Sequence, residues 1–184
     1  MFPPGHYGMA LALYAVVGAL VLRRGYVRDA LSGGAIVLAY TLFPDVDGKL
    51  EFVVHRGVTH TLWFAAAVGL FCVLVVASDL RGRSGRSAVA GACWAFFLGS
   101  FAVVAHLAAD LLNPWGVMPF YPVTPALYSL DVVRATNPAA NYAMLAGGLC
   151  IGATAWTLAH PAGARASLAV RLYRRLRGEV AVAE

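Results

Sequence analysis

Charge is scarce in this sequence. Asp, Glu, Lys and Arg make up 12% of its 184 residues while 60% are hydrophobic, too few charges to keep an ordinary globular domain of this size in water. A mean hydropathy of +0.71 and several long apolar runs point to a bilayer instead. Cysteine is sparse as well: Cys72, Cys93 and Cys150 each lie in an apolar run, with no Cys-x-x-Cys spacing. That pattern argues against a thiolate metal site and a disulfide framework, so the three are expected to be small buried hydrophobes. Residues 1–5 have no Lys or Arg, and no small-residue cleavage site follows the first apolar run. The first segment is therefore expected to be a retained anchor rather than a removed signal peptide. The pair Arg23-Arg24 comes after that run, which argues against a twin-arginine export signal.

Five apolar segments are present, at about Tyr7–Leu22, Ala30–Phe43, Val58–Ala77, Ala88–Leu112 and Ala139–Leu158. A helical span of about 30 Å of hydrocarbon needs roughly 20 residues. The last three reach that length, the first is short and the second is shorter. Arg23, Arg24, Arg28, Arg81, Arg83, Arg86, Arg165, Arg171, Arg174, Arg175 and Arg177 all fall in alternate connections, and only Lys49, Arg56 and Arg134 fall in the others. The expected fold class is thus all-α: a polytopic membrane helix bundle of about five transmembrane segments, N-out/C-in, multi-pass in the cell membrane. Orientation explains the formal charge of +5, so no nucleic-acid partner is expected. Residues 1–160 form the membrane-embedded domain in this reading. Residues 161–184 form a basic cytoplasmic tail, whose alternation of Leu168, Val170, Leu172 and Leu176 with arginines suggests an amphipathic helix on the bilayer surface. The stretch Asn113–Pro138 holds five of the nine prolines and is expected to be a structured loop.

Against this apolar background, LFPDVDGKLEFVVHRGVTH (Leu42–His60) gathers two Asp, a Glu, a Lys, an Arg and two His into nineteen positions. Under the five-span topology His6, Asp45, Asp47, His55, His60, His106 and Asp110 all lie at the outer ends of segments. A bundle brings them to one level. A helix ending at Pro44 after about 21 Å leaves Asp45 and Asp47 at or below the interface. An ionised Asp costs about 2.5–3.5 kcal/mol at the bilayer centre and less near its edge, a cost that a divalent cation offsets. His106 and Asp110 are spaced i, i+4 and share a helix face, suiting one metal ion or two adjacent ones.

The expected ligands are His6, Asp45, His60, His106 and Asp110. Imidazole with carboxylate favours Zn, with Mn as the alternative, in one or two ions. Asp-Val-Asp-Gly lacks the third Asp of a calcium loop, which excludes that site. Asp47 is expected to orient or deprotonate a water, and His55 and Arg56 to meet an anionic substrate, Arg56 by a bidentate contact. On one helix His55 and His60 would point about 140° apart, so Gly57 must break it for both to act together. Thr59 is expected either to cap the third helix or to orient a carboxylate. Lys49 and Glu51 read as solvated charges, and Trp115, Phe120, Tyr121 and Tyr128 as an interfacial aromatic belt. Asn113 and Asp131 lie near enough to support the ligands, whereas His160 lies on the opposite side.

At Asp45-Val-Asp47, His55-Arg56-Gly57-Val58-Thr59-His60 and His106-Leu-Ala-Ala-Asp110 the sequence resembles the YdjM-type family of inner-membrane-associated metal-dependent hydrolases. The resemblance runs over roughly His6–Gly116 and implies a polytopic membrane protein with hydrolase activity. Where that family often carries a Thr and Gly element after His-x-x-x-Asp, this chain has Leu-Leu-Asn113-Pro-Trp-Gly116. More remotely, the order His6, Asp45, His60, His106, Asp110 is similar to that of the ligands in zinc-dependent phospholipases C. The expectation is a membrane-bound hydrolase of a phosphoester, lipid-linked or otherwise, with the bilayer and such a substrate as its partners. The alternative is a non-catalytic metal-binding membrane protein, a sensor or assembly partner. A transporter needs ionisable residues in the inner halves of the spans, and they are absent there.

Overall fold

Proline and glycine set the helix boundaries. The computed structural model describes residues 1–49, 55–82 and 84–159. Helix α1 (Pro3–Arg23) begins on its proline pair, since the missing N–H of a first-turn proline has no intrahelical partner to lose. It is therefore longer than the apolar run from Tyr7 suggested. Gly25, at φ 86°, turns the chain into α2 (Val27–Thr41), which stops ahead of Pro44. Two 3-10 turns follow, Pro44–Lys49 and Val58–His60. Helix α3 (Leu62–Val75) starts where the Thr61 hydroxyl accepts from Phe64 N at 3.1 Å. A short α4 (Ala77–Arg81) leads into the long α5 (Gly85–Leu111) and, after an irregular stretch, α6 (Pro138–Ala159). In that stretch Val117 and Tyr128 pair in a single antiparallel bridge, so the proline-rich segment is indeed folded.

The protein is an all-α bundle. Among the described residues α1, α5 and α6 are long and apolar enough to cross a bilayer. The 15 residues of α2 and the 14 of α3 make rods of about 22 and 21 Å. The third segment is thus shorter than its apolar run, because Val58–His60 forms a separate turn and Thr61 caps the helix after it. The basic tail expected over 161–184, with its amphipathic helix, lies outside the described residues, as do Glu51 and His160.

Close helix contact depends on missing side chains. A Cβ on Gly8 of α1 would lie 2.2 Å from the Met144 carbonyl oxygen of α6, and one on Gly148 would lie 2.2 Å from that of Gly8. The two backbones touch, as small residues permit between membrane helices. Gly69 and Gly99 do the same for α3 and α5. Between α1, α2 and α5 the core holds Ala10, Tyr14, Val37, Leu98, Ala102 and Ala105. Leu74, Val89 and Leu158 are among the large apolar residues left exposed on the outer faces, suited to lipid contact. Cys72 is buried as expected, whereas Cys93 and Cys150 face outward; all three are free thiols.

Replacing Gly8 by Val forces α1 off α6, and a loss of about 1–3 kcal/mol is expected for overpacking of this kind. Thermal unfolding in detergent checks it, with Gly147→Ala, where a Cβ meets nothing within 4 Å, as the unaffected control.

Candidate metal centre

The cluster forms where five helix ends meet: the starts of α1, α3 and α6 and the ends of α2 and α5. The fully buried polar residues in the described chain, His6, Thr41, Asp47, His60, Thr61, His106, Asp110, Asn113 and Asn141, all lie at this end. Buried polar groups cost free energy unless paired, so their concentration in one layer marks a site.

His106 shows how local structure builds it. The last carbonyls of a helix have no intrahelical donor, and Pro44 stops α2 from extending. The free carbonyl of Thr41 lies 2.8 Å from His106 Nδ1. That nitrogen must carry the proton, which leaves the Nε2 lone pair facing the acids. His60 is oriented in a similar way. Its Nδ1 is 3.1 Å from Thr59 Oγ1 and 3.3 Å from Asp47 Oδ2, while Thr59 donates to Asp47 Oδ2 at 2.5 Å. Thr59 therefore orients a carboxylate, and the capping role falls to Thr61. Such a partner on the far ring nitrogen fixes the tautomer of a metal-binding imidazole.

The near nitrogens converge. His60 Nε2 and His106 Nε2 are 3.2 Å apart. Asp45 Oδ1 lies 3.5 Å from the first and 3.4 Å from the second, and Asp110 Oδ2 lies 3.4 Å from each. Five of the six separations among these four atoms thus run from 3.2 to 3.5 Å. Four ligands at about 2.0–2.1 Å from a tetrahedral zinc lie about 3.3–3.4 Å from one another. Asp110 Oδ2 is buried and has no hydrogen-bond donor, as expected of an oxygen whose partner is a cation. The donor set fits a metal ion.

The fifth expected ligand approaches from another side. His6 Nε2 stands 3.7 Å from Asp45 Oδ2 and 3.8 Å from Asp110 Oδ1, the second oxygens of the same carboxylates. Its ring stacks on that of His106 at 3.8 Å with an interplanar angle of 1°. Ligand atoms of His6, Asp45, His106 and Asp110 all lie within 4.8 Å of one another, as do those of Asp45, His55 and His60. Met1 closes this side, its amino nitrogen 2.5 Å from Asp110 Oδ1 and its carbonyl 3.1 Å from His6 Nε2.

Asp47 stands behind the cluster. It accepts from Thr59, from Arg56 N at 3.1 Å and bonds His55 Nδ1 at 2.7 Å. Burial alone would raise its carboxyl, but the hydrogen bonds from Thr59 and His55 outweigh that and hold it below the usual range. Asp45 is the more open of the two, its side chain 29% exposed against 0% for Asp47.

The Arg56 side chain reaches the end of α5 and the residues that follow it. Its Nη2 donates to Asp110 Oδ1 at 2.9 Å, and its Nη1 to Asn113 Oδ1 at 3.0 Å and to the Gly116 carbonyl at 2.9 Å. Its guanidinium lies over the Trp115 ring, 5.4 Å from the centroid, so this ring serves the site as well as any belt. Arg56 adopts φ 65°, a left-handed conformation costly for a residue with a Cβ. With Gly57, it breaks the chain between His55 and His60. No helix separates those two rings, and their centroids are 5.4 Å apart.

Asn113 joins the site, donating to Asp110 Oδ1 at 3.2 Å, whereas Asp131 is exposed on the loop with only a local hydrogen bond to Ser129. Sequence reasoning missed Asn141 and the Thr41 carbonyl. Asn141 Oδ1 accepts from Phe2 N at 3.0 Å, and its Nδ2 donates to Ala135 O and Asn137 O, pinning the start of α1 to that of α6. A lone amide near the start of an apolar segment was the available signal. A main-chain acceptor leaves none.

Fold and site together define a helical membrane protein with a buried His/Asp cluster able to hold a metal ion. The chain belongs to the YdjM inner membrane protein family, which it matches over residues 1–177. No curated protein and no solved structure matches it.

Asp47→Asn is expected to weaken metal affinity about 10–100-fold through the loss of His60 orientation. Competition with a chelator measures it, and Asp131→Asn is expected to change nothing.

Proposed function

We propose that this protein is a membrane-bound metal-dependent hydrolase acting on a phosphoester, with lipid-linked esters as the favoured class. The observation that carries this reading is the convergence of His60 Nε2, His106 Nε2, Asp45 Oδ1 and Asp110 Oδ2, each imidazole nitrogen within 3.5 Å of both carboxylate oxygens, bordered by polar groups that the set does not use. Zinc suits the ligands and spacing best, with manganese next. When bound, such a cation supplies Lewis-acid polarisation of a phosphoryl oxygen and a water activated near neutral pH. In this reading α2 and α3 complete five passes, N-out/C-in, and the centre faces outward.

The neighbouring side chains divide the remaining work. Arg56 is held against Asp110, Asn113 and Gly116, and its buried Nε has no partner. That N–H is available to a phosphoryl oxygen in a site where a fixed donor is worth more than in water. His55 is half exposed, with Nδ1 held by Asp47 at 2.7 Å. It is placed to pass a proton from Nε2 to a leaving oxygen, with Asp47 as its positioning residue. A cavity of about 530 Å³ is lined by Tyr7, Leu11, Ala35, Leu38, Ala39 and Leu145, and a second shares Leu11, Ala35 and Leu38 with it. This apolar groove suits the chain of a lipid whose headgroup reaches the centre.

One observation favours the non-catalytic reading: four protein ligands around one ion make a closed set, the form of a structural site. Detergent-purified protein decides between them. The wild type is expected to hold zinc or manganese and to cleave members of a phosphoester panel that includes phospholipids, and His60→Ala and Asp110→Ala to lose metal. Arg56→Lys is expected to keep its metal and to lose about 10²–10³ in turnover. Metal-loaded wild type that cleaves nothing in the panel would establish the sensor or assembly role.

A further inference from the structure

The four-ligand set uses only one oxygen of each carboxylate. Asp45 Oδ1 and Asp110 Oδ2 belong to it. Asp45 Oδ2 and Asp110 Oδ1 do not, and both face His6 Nε2, at 3.7 and 3.8 Å. His6 is 0% exposed and has a second nitrogen, Nδ1, with no partner at all. His6 Nε2 meets the Met1 carbonyl at 3.1 Å but neither carboxylate at hydrogen-bond distance, and the first ion does not account for its place between them.

We propose that His6 Nε2, Asp45 Oδ2 and Asp110 Oδ1 form a second divalent-cation position, with Asp45 and Asp110 bridging the two. This rests on the metal-centre reading above and deepens it. The stacking of the His6 and His106 rings supports the spacing. The planes are parallel at 3.8 Å, each ring presents its Nε2 to the same two carboxylates, and ions in paired metal sites sit about 3.5–4 Å apart. A cation in this position takes the place of the Met1 amino group against Asp110 Oδ1, while the Met1 carbonyl, 3.1 Å from His6 Nε2, is an oxygen already at hand.

The two positions differ in kind. The first has four side-chain ligands and is closed. The second has three side-chain ligands, and displacement of the Met1 amino group leaves it a further position for a substrate oxygen, which is the mark of a catalytic site. Arg56 Nη2 donates to Asp110 Oδ1, the carboxylate oxygen that belongs to the second position. Two divalent cations against two bridging carboxylates leave excess positive charge, and Arg56 adds to it. The ligand such a position takes is a phosphate or phosphomonoester dianion bound across both ions.

Metal content of the full chain in detergent, saturated with Mn(II) and freed of excess, tests this without reference to activity. About two equivalents per chain are expected in the wild type, about one in His6→Ala, and in the wild type an electron paramagnetic resonance spectrum of a spin-coupled pair. The spectrum needs no variant, so the test survives if His6→Ala does not fold. One equivalent with the spectrum of isolated Mn(II) in the wild type overturns the proposal, as do two equivalents that persist in His6→Ala. A spin-coupled pair in a protein that cleaves no phosphoester upholds both positions and overturns the hydrolase reading alone.

Discussion

Everything at this end of the bundle follows from placing two carboxylates, Asp45 and Asp110, among three imidazoles where water is largely excluded. Taking an ion out of water costs several kcal/mol even after relaxation, and Asp110 is 1% exposed. Arg56 and the Met1 amino group meet one of its oxygens, while the other has no donor. The imidazoles cannot all donate toward the acids, because the Thr41 carbonyl holds the proton of His106 on Nδ1. Lone pairs therefore face carboxylate oxygens across the centre. Such an arrangement repels itself unless something positive stands between, and this is why geometry and electrostatics both point to a metal ion.

The rest of the fold holds those groups in place. Gly8 and Gly148 let α1 lie directly on α6, and Asn141 ties Phe2 to the same helix. His6, between those two anchors, has little freedom. Pro44 ends α2 early enough to free the carbonyl that His106 needs. The left-handed turn at Arg56 is strained, and it works in two directions: its N–H reaches Asp47 while its side chain crosses to Asp110. A chain mostly free of charge thus spends several of its few charged residues within one polar layer.

Much of this was legible from composition and spacing. Apolar runs separated by arginines gave a helical membrane bundle, and i, i+4 spacing put His106 with Asp110. Placing segment ends at one level brought His6, Asp45 and His60 to the same layer, where the structure has them. Helix ends were read less well. The proline pair extended α1, and Thr61 shortened α3, because caps and first-turn residues do not register in hydropathy. Cys93 and Cys150 were misplaced for a related reason: hydropathy reports that a residue avoids water, but in a bilayer that is true of the outer face as well as the core.

What the sequence determined by itself was the class of fold, its orientation as an expectation, and the identity of the residues that meet. These depend on residue type and spacing along one axis, which a linear string contains. Which oxygen of each carboxylate faces which imidazole, that Asp47 stands behind His60 rather than beside a ligand, and that Arg56 binds Asp110 were decided only by the tertiary structure. Those relations depend on rotation about helix axes, on main-chain acceptors such as the Thr41 carbonyl, and on contacts between residues up to 139 positions apart. No local pattern encodes a distance of that kind, and the chemistry of the site rests on it.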